Sequence, residues 1–482
     1  MRPATFAMFV LALFTAALVF WPGEGAILGK RIVRFTVWGM PFEDRLFEDL
    51  YARRYAEINP DIIIDYGRFA DIRMKYNAWH ARRQGPEVMR IELTWYEDFA
   101  RRGLIEPLTP YINDPVRGLS QADLAAIPPQ LMEHLILDGE IYALPQDSAQ
   151  YGLFYNRDIF DQHNRDHPED PVTYPSADWT WEDLRETARK LARHDANGRL
   201  TRAGFDFAIW AWPFLTFFAQ AGGEAFSTDG LTCTLDSTAG VRTLEFLRAM
   251  QREDRSFDPT LAAYTAGVGA DTFFATGRTA MMLDGSWRVP NFDLTAPNLN
   301  YAVAPLPCGP REGGRPGVVS GGVLWAISAH AKHKDDAWDF LRWLVAEEQS
   351  ALYWDTLRVA PPADLRVFHS PAFRQTRGVP IDPDDLSRGY DVPPMPAEDF
   401  DDKAQWLLYG VTPHPETGEP PGFIISNIYL GELYDEIGRM LTEFLKPDSQ
   451  LAPEAALRLA VQRIHAVIDR DRAARGLEPV RR

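Results

Sequence analysis

The chain is poor in cysteine, has no excess of basic residues, and lacks the short motifs that announce nucleotide or metallohydrolase chemistry. Only Cys233 and Cys308 occur in 482 residues. Two thiols at that separation match no metal-ligand spacing, so no zinc or other metal site is predicted. Spacing does not decide whether they pair: two separate buried thiols and one disulfide both fit an exported chain, because the bond needs a specific Cα and Cβ geometry. Lys and Arg number 50 against 68 Asp and Glu, a net charge of −18. Such a surface repels nucleic acid and anionic lipid, and no basic run offsets it. There is no G-x-x-x-x-G-K-[ST], H-E-x-x-H, G-x-S-x-G or complete G-x-G-x-x-G, so neither a cofactor nor a local catalytic signature is expected. A glycosidase escapes that exclusion, since its two carboxylates sit on separate strands and leave no local pattern. An extracellular carbohydrate-active enzyme therefore remains an alternative.

What is present begins with a leader. Arg2 precedes an uncharged apolar stretch, 6–21, which breaks at Pro22-Gly23-Glu24-Gly25-Ala26. This reads as an export signal. The stretch approaches the minimum of about 17 residues that spans a bilayer, and Glu24 stands where a small residue favours cleavage. Residues 1–26 are thus either a signal peptide or an N-terminal anchor, and no nearby Cys offers a lipoprotein attachment.

Beyond the leader, hydrophobic content of 46% suffices for one large core or two. Residues 31–38 (RIVRFTVW) form an apolar, β-favouring run. Residues 42–58 then show helical spacing through Phe47, Leu50, Tyr51, Tyr55 and Ile58. Asn59-Pro60 ends that helix; 61–66 (DIIIDY) reads as a strand and 72–83 as another helix. This βαβα alternation predicts an α/β fold with an open, mostly parallel sheet. Residues 142–155 read as two strands around a polar turn. Thr180 and Asp183 form a capping-box pair ahead of Leu184, Ala188 and Leu191, and Asp236-Ser237 opens a helix holding Val241, Leu244 and Leu247. Strands are expected at 302–306 and 318–328, and an amphipathic helix at 334–347. The proline-rich stretch 361–421 predicts ordered loop with short helices, and helices return at 424–444 and 453–468. No internal repeat is present.

Tryptophans stand where apolar runs end: Trp38, Trp95, Trp210, Trp212 and Trp287. Singly, each fits ordinary core packing, because Trp is highly buried whatever its role. As a group they supply flat rings that stack on the C–H face of a sugar while carboxylates and amides take its hydroxyls.

The order of segments resembles the extracellular solute-binding proteins of carbohydrate ABC transporters, those similar to maltose- and glycerol-phosphate-binding proteins. The resemblance is carried by FTVW at 35–38, Gly85-Pro86-Glu87-Val88, FARRGLIEPL at 99–108, YALPQDSAQYGLFYNRDIF at 142–160, the segment 179–192, FFATGRTAMMLDGSW at 273–287, 304–307, and 320–343. It spans most of 32–360. Glu87 replaces the Asp of the family pattern, and 361–421 matches little of it.

The resemblance implies a two-lobed periplasmic-binding-protein fold, type II-like, with a ligand cleft between the lobes and chain crossings near Asp147 and Gly321. Lobe 1 would hold 31–147 and 322–355, and lobe 2 would hold 148–321 and 356–482. It implies a monomer in the periplasm that closes on a sugar or polyol and passes it to ABC permease subunits served by a separate ATPase. A sensor-linked binding protein is a second alternative. Matching positions make ligand candidates of Trp38 and Met40 in the first loop, Glu92 and Trp95 in the next, and Asp147 and Tyr151 at the first crossing. Trp210, Trp212 and Trp287 follow in the second lobe, then Gly321, Gly322 and Arg358. Glu92 and Asp147 would accept hydroxyl hydrogen bonds, and Gly321-Gly322 would let backbone amides approach a ligand closely. For Arg358 an ion pair and a ligand contact both remain open.

Overall fold

The β-branched runs pair first. In the computed structural model, which describes residues 29–258, 269–412, 414, 418, 420–425 and 427–480, strands Arg31–Val37 and Ile62–Arg68 run parallel, from Arg31 opposite Ile62 to Val37 opposite Arg68. The leader 1–26 lies outside the described residues. Between the two strands the chain is helical from Pro41 onward, passing through a π-helical stretch, Arg45–Ala52, into Arg53–Ile58. Phe47, Tyr51 and Tyr55 from this face are buried against the sheet. Ile58, the last residue of the apolar spacing, is instead exposed.

Strand Val88–Glu92 adds in parallel beside Arg31–Val37. Val323–Ile327 and Ala143–Pro145 then complete the five-stranded sheet by antiparallel pairing. The sheet is therefore mixed, not mostly parallel. Only its first three strands come from consecutive βα units. The other two flank the excursion of the chain into a second sheet; Val323–Ile327 alone runs opposite to the rest, and Ala143–Pro145, antiparallel to it, points the same way as the first three.

That second sheet is ordered Tyr301–Ala304, Tyr151–Asn156, Thr279–Gly285, Leu200–Phe207, Arg193–His194. Alternation of side chains splits its faces. Tyr151, Leu153, Met281 and Leu283 enter the larger core, whereas Phe154, Met282, Tyr301 and Val303 enter a separate one. Helix Trp181–Leu191 covers the first face with Leu184, Ala188 and Leu191, and its capping box is formed: Asp183 accepts the Thr180 backbone N–H at 2.8 Å. Helices Leu430–Phe444 and Pro453–Ala474 close that core through Leu433, Ile437, Leu457 and Ile464. Each such side chain contributes roughly 1.5–3 kcal/mol on burial.

Three extended segments lie side by side between the sheets. The Gly321 N–H donates to Ala149 O at 3.0 Å, the Gln146 N–H to Val323 O at 2.8 Å, and the Ser148 N–H to Pro361 O at 2.9 Å. The single strand expected over 318–328 is interrupted here, leaving Val318–Val319 and Val323–Ile327, because Gly321-Gly322 belongs to the crossing. The proline-rich segment then packs on both cores. Phe368, Phe373, Met395, Phe400 and Trp406 fill the face behind Phe154, while Val379 and Val392 reach the first core and Asp391 pairs with Arg45 at 2.9 Å.

No disulfide joins the cysteines. The Cys233 backbone N–H donates to His465 Nε2, and Cys308 Sγ lies 3.5 Å from Ala177 O. Among the described residues no helix is long and apolar enough to cross a membrane.

Candidate functional site

Adjacent strand ends bring the aromatics together. Tyr151 opens its strand directly after the first crossing and pairs with Gly285, the last residue of the neighbouring strand; Trp287 follows that strand. Leu200–Phe207 runs parallel on the other side, with Leu283 opposite Phe207, and delivers Trp210 and Trp212. The Tyr151 ring lies 5.4 Å from Trp212, 5.7 Å from Trp287 and 6.2 Å from Trp210, each close to edge-on. Trp210 and Trp212 stack at 5.6 Å with planes 6° apart. Glycine makes this possible: a Cβ on Gly321 would stand 2.0 Å from the Trp212 ring, and one on Gly285 2.2 Å from that of Trp287. Trp287 also packs against the first core, so this wall faces the other sheet.

Several polar atoms on the wall are buried without a hydrogen-bond partner: the Tyr151 hydroxyl, Ser286 Oγ and, at the crossing, Gln146 Oε1; the Trp212 indole N–H instead faces the Tyr434 hydroxyl. Native structures leave few such groups, and each one requires an explanation.

From the first sheet come Trp38, Met40, Glu92 and Trp95, all half-buried. Trp38 and Trp95 are 6.1 Å apart, tilted by 48°, and Trp38 Nε1 is also unpartnered. Glu92 ends strand Val88–Glu92 opposite Val323, beside Gly322, whose carbonyl accepts the Leu93 N–H at 3.0 Å. Burial raises the Glu92 carboxyl above its ordinary value, opposed by a hydrogen bond from Thr94 and by Arg73 and Arg90. Its charge is felt by Tyr151 and by Tyr434, and it holds both hydroxyls up in addition to their burial.

Tyr434 is not among the residues the sequence marks. It comes from helix Leu430–Phe444, recognisable in the sequence only as amphipathic, and that helix is set against Ala211–Gln220 by core packing. No local pattern marks it.

The remaining candidates lie elsewhere. Asp147 is 1% exposed. Its Oδ1 accepts the Val323 N–H at 3.0 Å, and its Oδ2 accepts from Tyr353 Oη and Gln146 Nε2, both at 2.9 Å. Burial lifts this carboxyl to about 6 against the pull of Arg90. Its oxygens bind the crossings to one another. Gly322 packs on it, a Cβ there falling 2.4 Å from Asp147 O. Arg358 ends helix Glu347–Leu357 in a left-handed conformation, φ 42°. Its guanidinium is buried, donating to Asp293 Oδ2 at 2.7 Å and Pro393 O at 2.9 Å. Asp293 also accepts from the Tyr301 hydroxyl, so Arg358 belongs to the opposite face of the second sheet from the aromatic wall. Of the two roles open to it, the structure realises the ion pair.

Residues 53–351 match the model of a family described as bacterial extracellular solute-binding protein. A maltotriose-binding protein of Pyrococcus abyssi is 24% identical over 320 residues, covering 66% of this chain and 63% of that protein. An arabinooligosaccharide-binding protein of Halalkalibacterium halodurans is 25% identical over 246 residues, 49% of this chain and 51% of that one. A binding protein of Brucella abortus is matched over 58% of its length, so the chain spans less than two thirds of these curated relatives. Among solved structures, an ABC substrate-binding protein from Listeria monocytogenes in complex with cycloalternan superposes with a TM-score of 0.72 at 19% identity, covering 93% of this chain and all of that one. A maltose/maltodextrin-binding domain from Bdellovibrio bacteriovorus bound to maltotriose gives 0.66 at 18% identity, covering 90% and 100%. Both are two-sheet folds of this kind.

Proposed function

Because the chain belongs to the bacterial extracellular solute-binding proteins, we propose that it captures a neutral oligosaccharide between its two sheets and delivers it to ABC permease subunits driven by a separate ATPase. The observation that carries the sugar assignment is the wall of Tyr151, Trp210, Trp212 and Trp287 with its buried, unpartnered Tyr151 hydroxyl. Indole faces stack on sugar C–H surfaces, and the unmet polar atoms take hydroxyls. Trp38, Met40 and Trp95 would close from the other side, with Glu92 accepting hydroxyl hydrogen bonds. Of the cations nearby, Arg90 is engaged by Glu43 and Arg288 by Asp284 and Asp271, while Arg73, over the Trp95 ring, has Asp98 at 4.0 Å. That favours an uncharged ligand over a phosphorylated one. Ligands named for the relatives, maltotriose and arabinooligosaccharide, support the same class.

The two lobes would be 31–147 with 322–355, and 148–321 with 356–482, the hairpin around 379–392 leaning back on the first lobe. Closure requires only that the ligand bind the closed state better than the open one. The protein would act in the periplasm as a monomer and without catalysis. A thermal-shift screen tests this, since a ligand selective for the native state at 100 times its Kd adds about 2.7 kcal/mol of stability. Maltotriose, mannotriose or arabinotriose should raise the melting temperature and be recovered intact. Hydrolysis of any of them would replace the binding function with an enzymatic one.

A further inference from the structure

Arg90 and Glu43 form an ion pair at 2.7 Å, with side chains only 2% and 3% exposed. Burying two charges is costly, and apolar residues of equal volume often serve stability as well or better. The hydrogen bonds of the pair suggest what else it does. Arg90 Nη1 donates to Trp38 O at 2.6 Å and to Glu43 Oε2 at 2.7 Å, and Glu43 Oε1 accepts the Met40 N–H at 2.8 Å. The two side chains therefore grip the backbone on both sides of Gly39. Gly39 itself has φ 147°, and a Cβ there would fall 2.3 Å from Glu43 Oε1 and 2.8 Å from Arg90 Nη1. The guanidinium carbon sits 5.1 Å from the centre of the Trp38 ring, within cation–π range. Glu43 and, more remotely, Asp147 hold Arg90 in its charged form against desolvation.

We propose that Arg90 and Glu43 are positioning residues that fix the Trp38 indole as a stacking platform. Resting on the sugar-binding function, the assignment makes the pair a determinant of affinity although neither side chain touches the ligand. Nη1 alone makes both hydrogen bonds, so what arginine supplies beyond a lysine is the guanidinium over the Trp38 ring.

The test uses the full chain in two measurements. In the first, calorimetry with the tightest binder among maltotriose, mannotriose and arabinotriose compares wild type, Glu43→Gln, Trp38→Ala and the double variant. Glu43→Gln should weaken binding about tenfold in the wild-type background and not at all in the Trp38→Ala background. An equal loss in both backgrounds, or none in either, overturns the proposal. The second measurement needs no ligand: fluorine NMR of 5-fluorotryptophan-labelled protein, with the Trp38 signal assigned through Trp38→Phe. That signal should be sharp in wild type and shifted and broadened in Glu43→Gln. An unchanged signal refutes positioning even if the protein binds sugar, whereas a wild type that binds none of the three sugars refutes the sugar function and leaves the NMR result to decide the positioning role. Arg90→Lys, which keeps the charge, should reproduce both effects and serves if Glu43→Gln fails to fold.

Discussion

Tyr151 is 2% exposed, surrounded by three indoles, and its hydroxyl meets no partner. A buried unsatisfied group of this kind costs about 1–3 kcal/mol. Tyr151→Phe should therefore melt no lower than wild type while binding sugar about tenfold more weakly, a loss of about 1.4 kcal/mol. A lower melting temperature with unchanged affinity would make the hydroxyl a packing group. Asp206 is a second buried carboxyl, accepting the Phe207 N–H at 2.8 Å. Burial pushes it up to about 8, with Asp258 adding to the shift. Its folded value exceeds the unfolded value of about 3.9, so the folded chain holds this proton more tightly. The stability it contributes is complete below about pH 4 and is lost as pH rises through about 8. Urea denaturation at pH 5 and pH 8.5 should show that decline in wild type and a smaller one in Asp206→Asn; identical declines would contradict the assignment. At this scale the tryptophans were legible in the sequence because they follow strand ends, where loops begin. The partners of Arg358 and Asp147 were not, because Asp293, Tyr353 and Val323 lie 65, 206 and 176 residues away along the chain.

Elements were legible to the extent that their signals are local. The capping box of Thr180 and Asp183, the two β-branched strands and the helix stop before Pro60 all depend on neighbours within a few residues. The π-helical stretch Arg45–Ala52 shares its apolar spacing with an α-helix, so periodicity does not tell the two apart. Mixed pairing in the first sheet was hidden because Val323–Ile327 meets Val88–Glu92 only after the chain has built the second sheet. The Gly-Gly break is the element with the sharpest consequence. Gly321→Ala places a methyl 2.0 Å from the Trp212 ring, an overpacking that should destabilise by about 1–3 kcal/mol and weaken sugar binding. Gly438→Ala, in helix Leu430–Phe444 with nothing within 4 Å of its Cβ, should instead gain about 0.5–1 kcal/mol. Thermal unfolding of the two variants side by side checks both; a tolerated Gly321→Ala would mean that Trp212 has room to move and is no fixed platform.

For the whole molecule, three crossing segments join the two sheets, and Asp147 ties the first of them to the second. The proline-rich segment, which matched little of the family pattern, packs on both cores and links them again through Arg45 and Asp391. Proline obscures periodicity, so nothing in 361–421 indicated that it spans the two halves. Two lobes and a cleft were legible from the order of motifs alone, whereas the chemistry of the cleft depends on which side chains folding brings together. The central claim is that the wall of Tyr151 and the three tryptophans receives a neutral sugar. Calorimetric titration of wild type and Trp210→Ala with maltotriose, mannotriose and arabinotriose tests it most directly. Wild type should bind at least one sugar with 1:1 stoichiometry, and Trp210→Ala, whose half-buried ring stacks on Trp212, should bind it at least tenfold more weakly with its melting temperature largely kept. A wild type that binds none of the three, or a variant that binds as tightly as wild type, would contradict it.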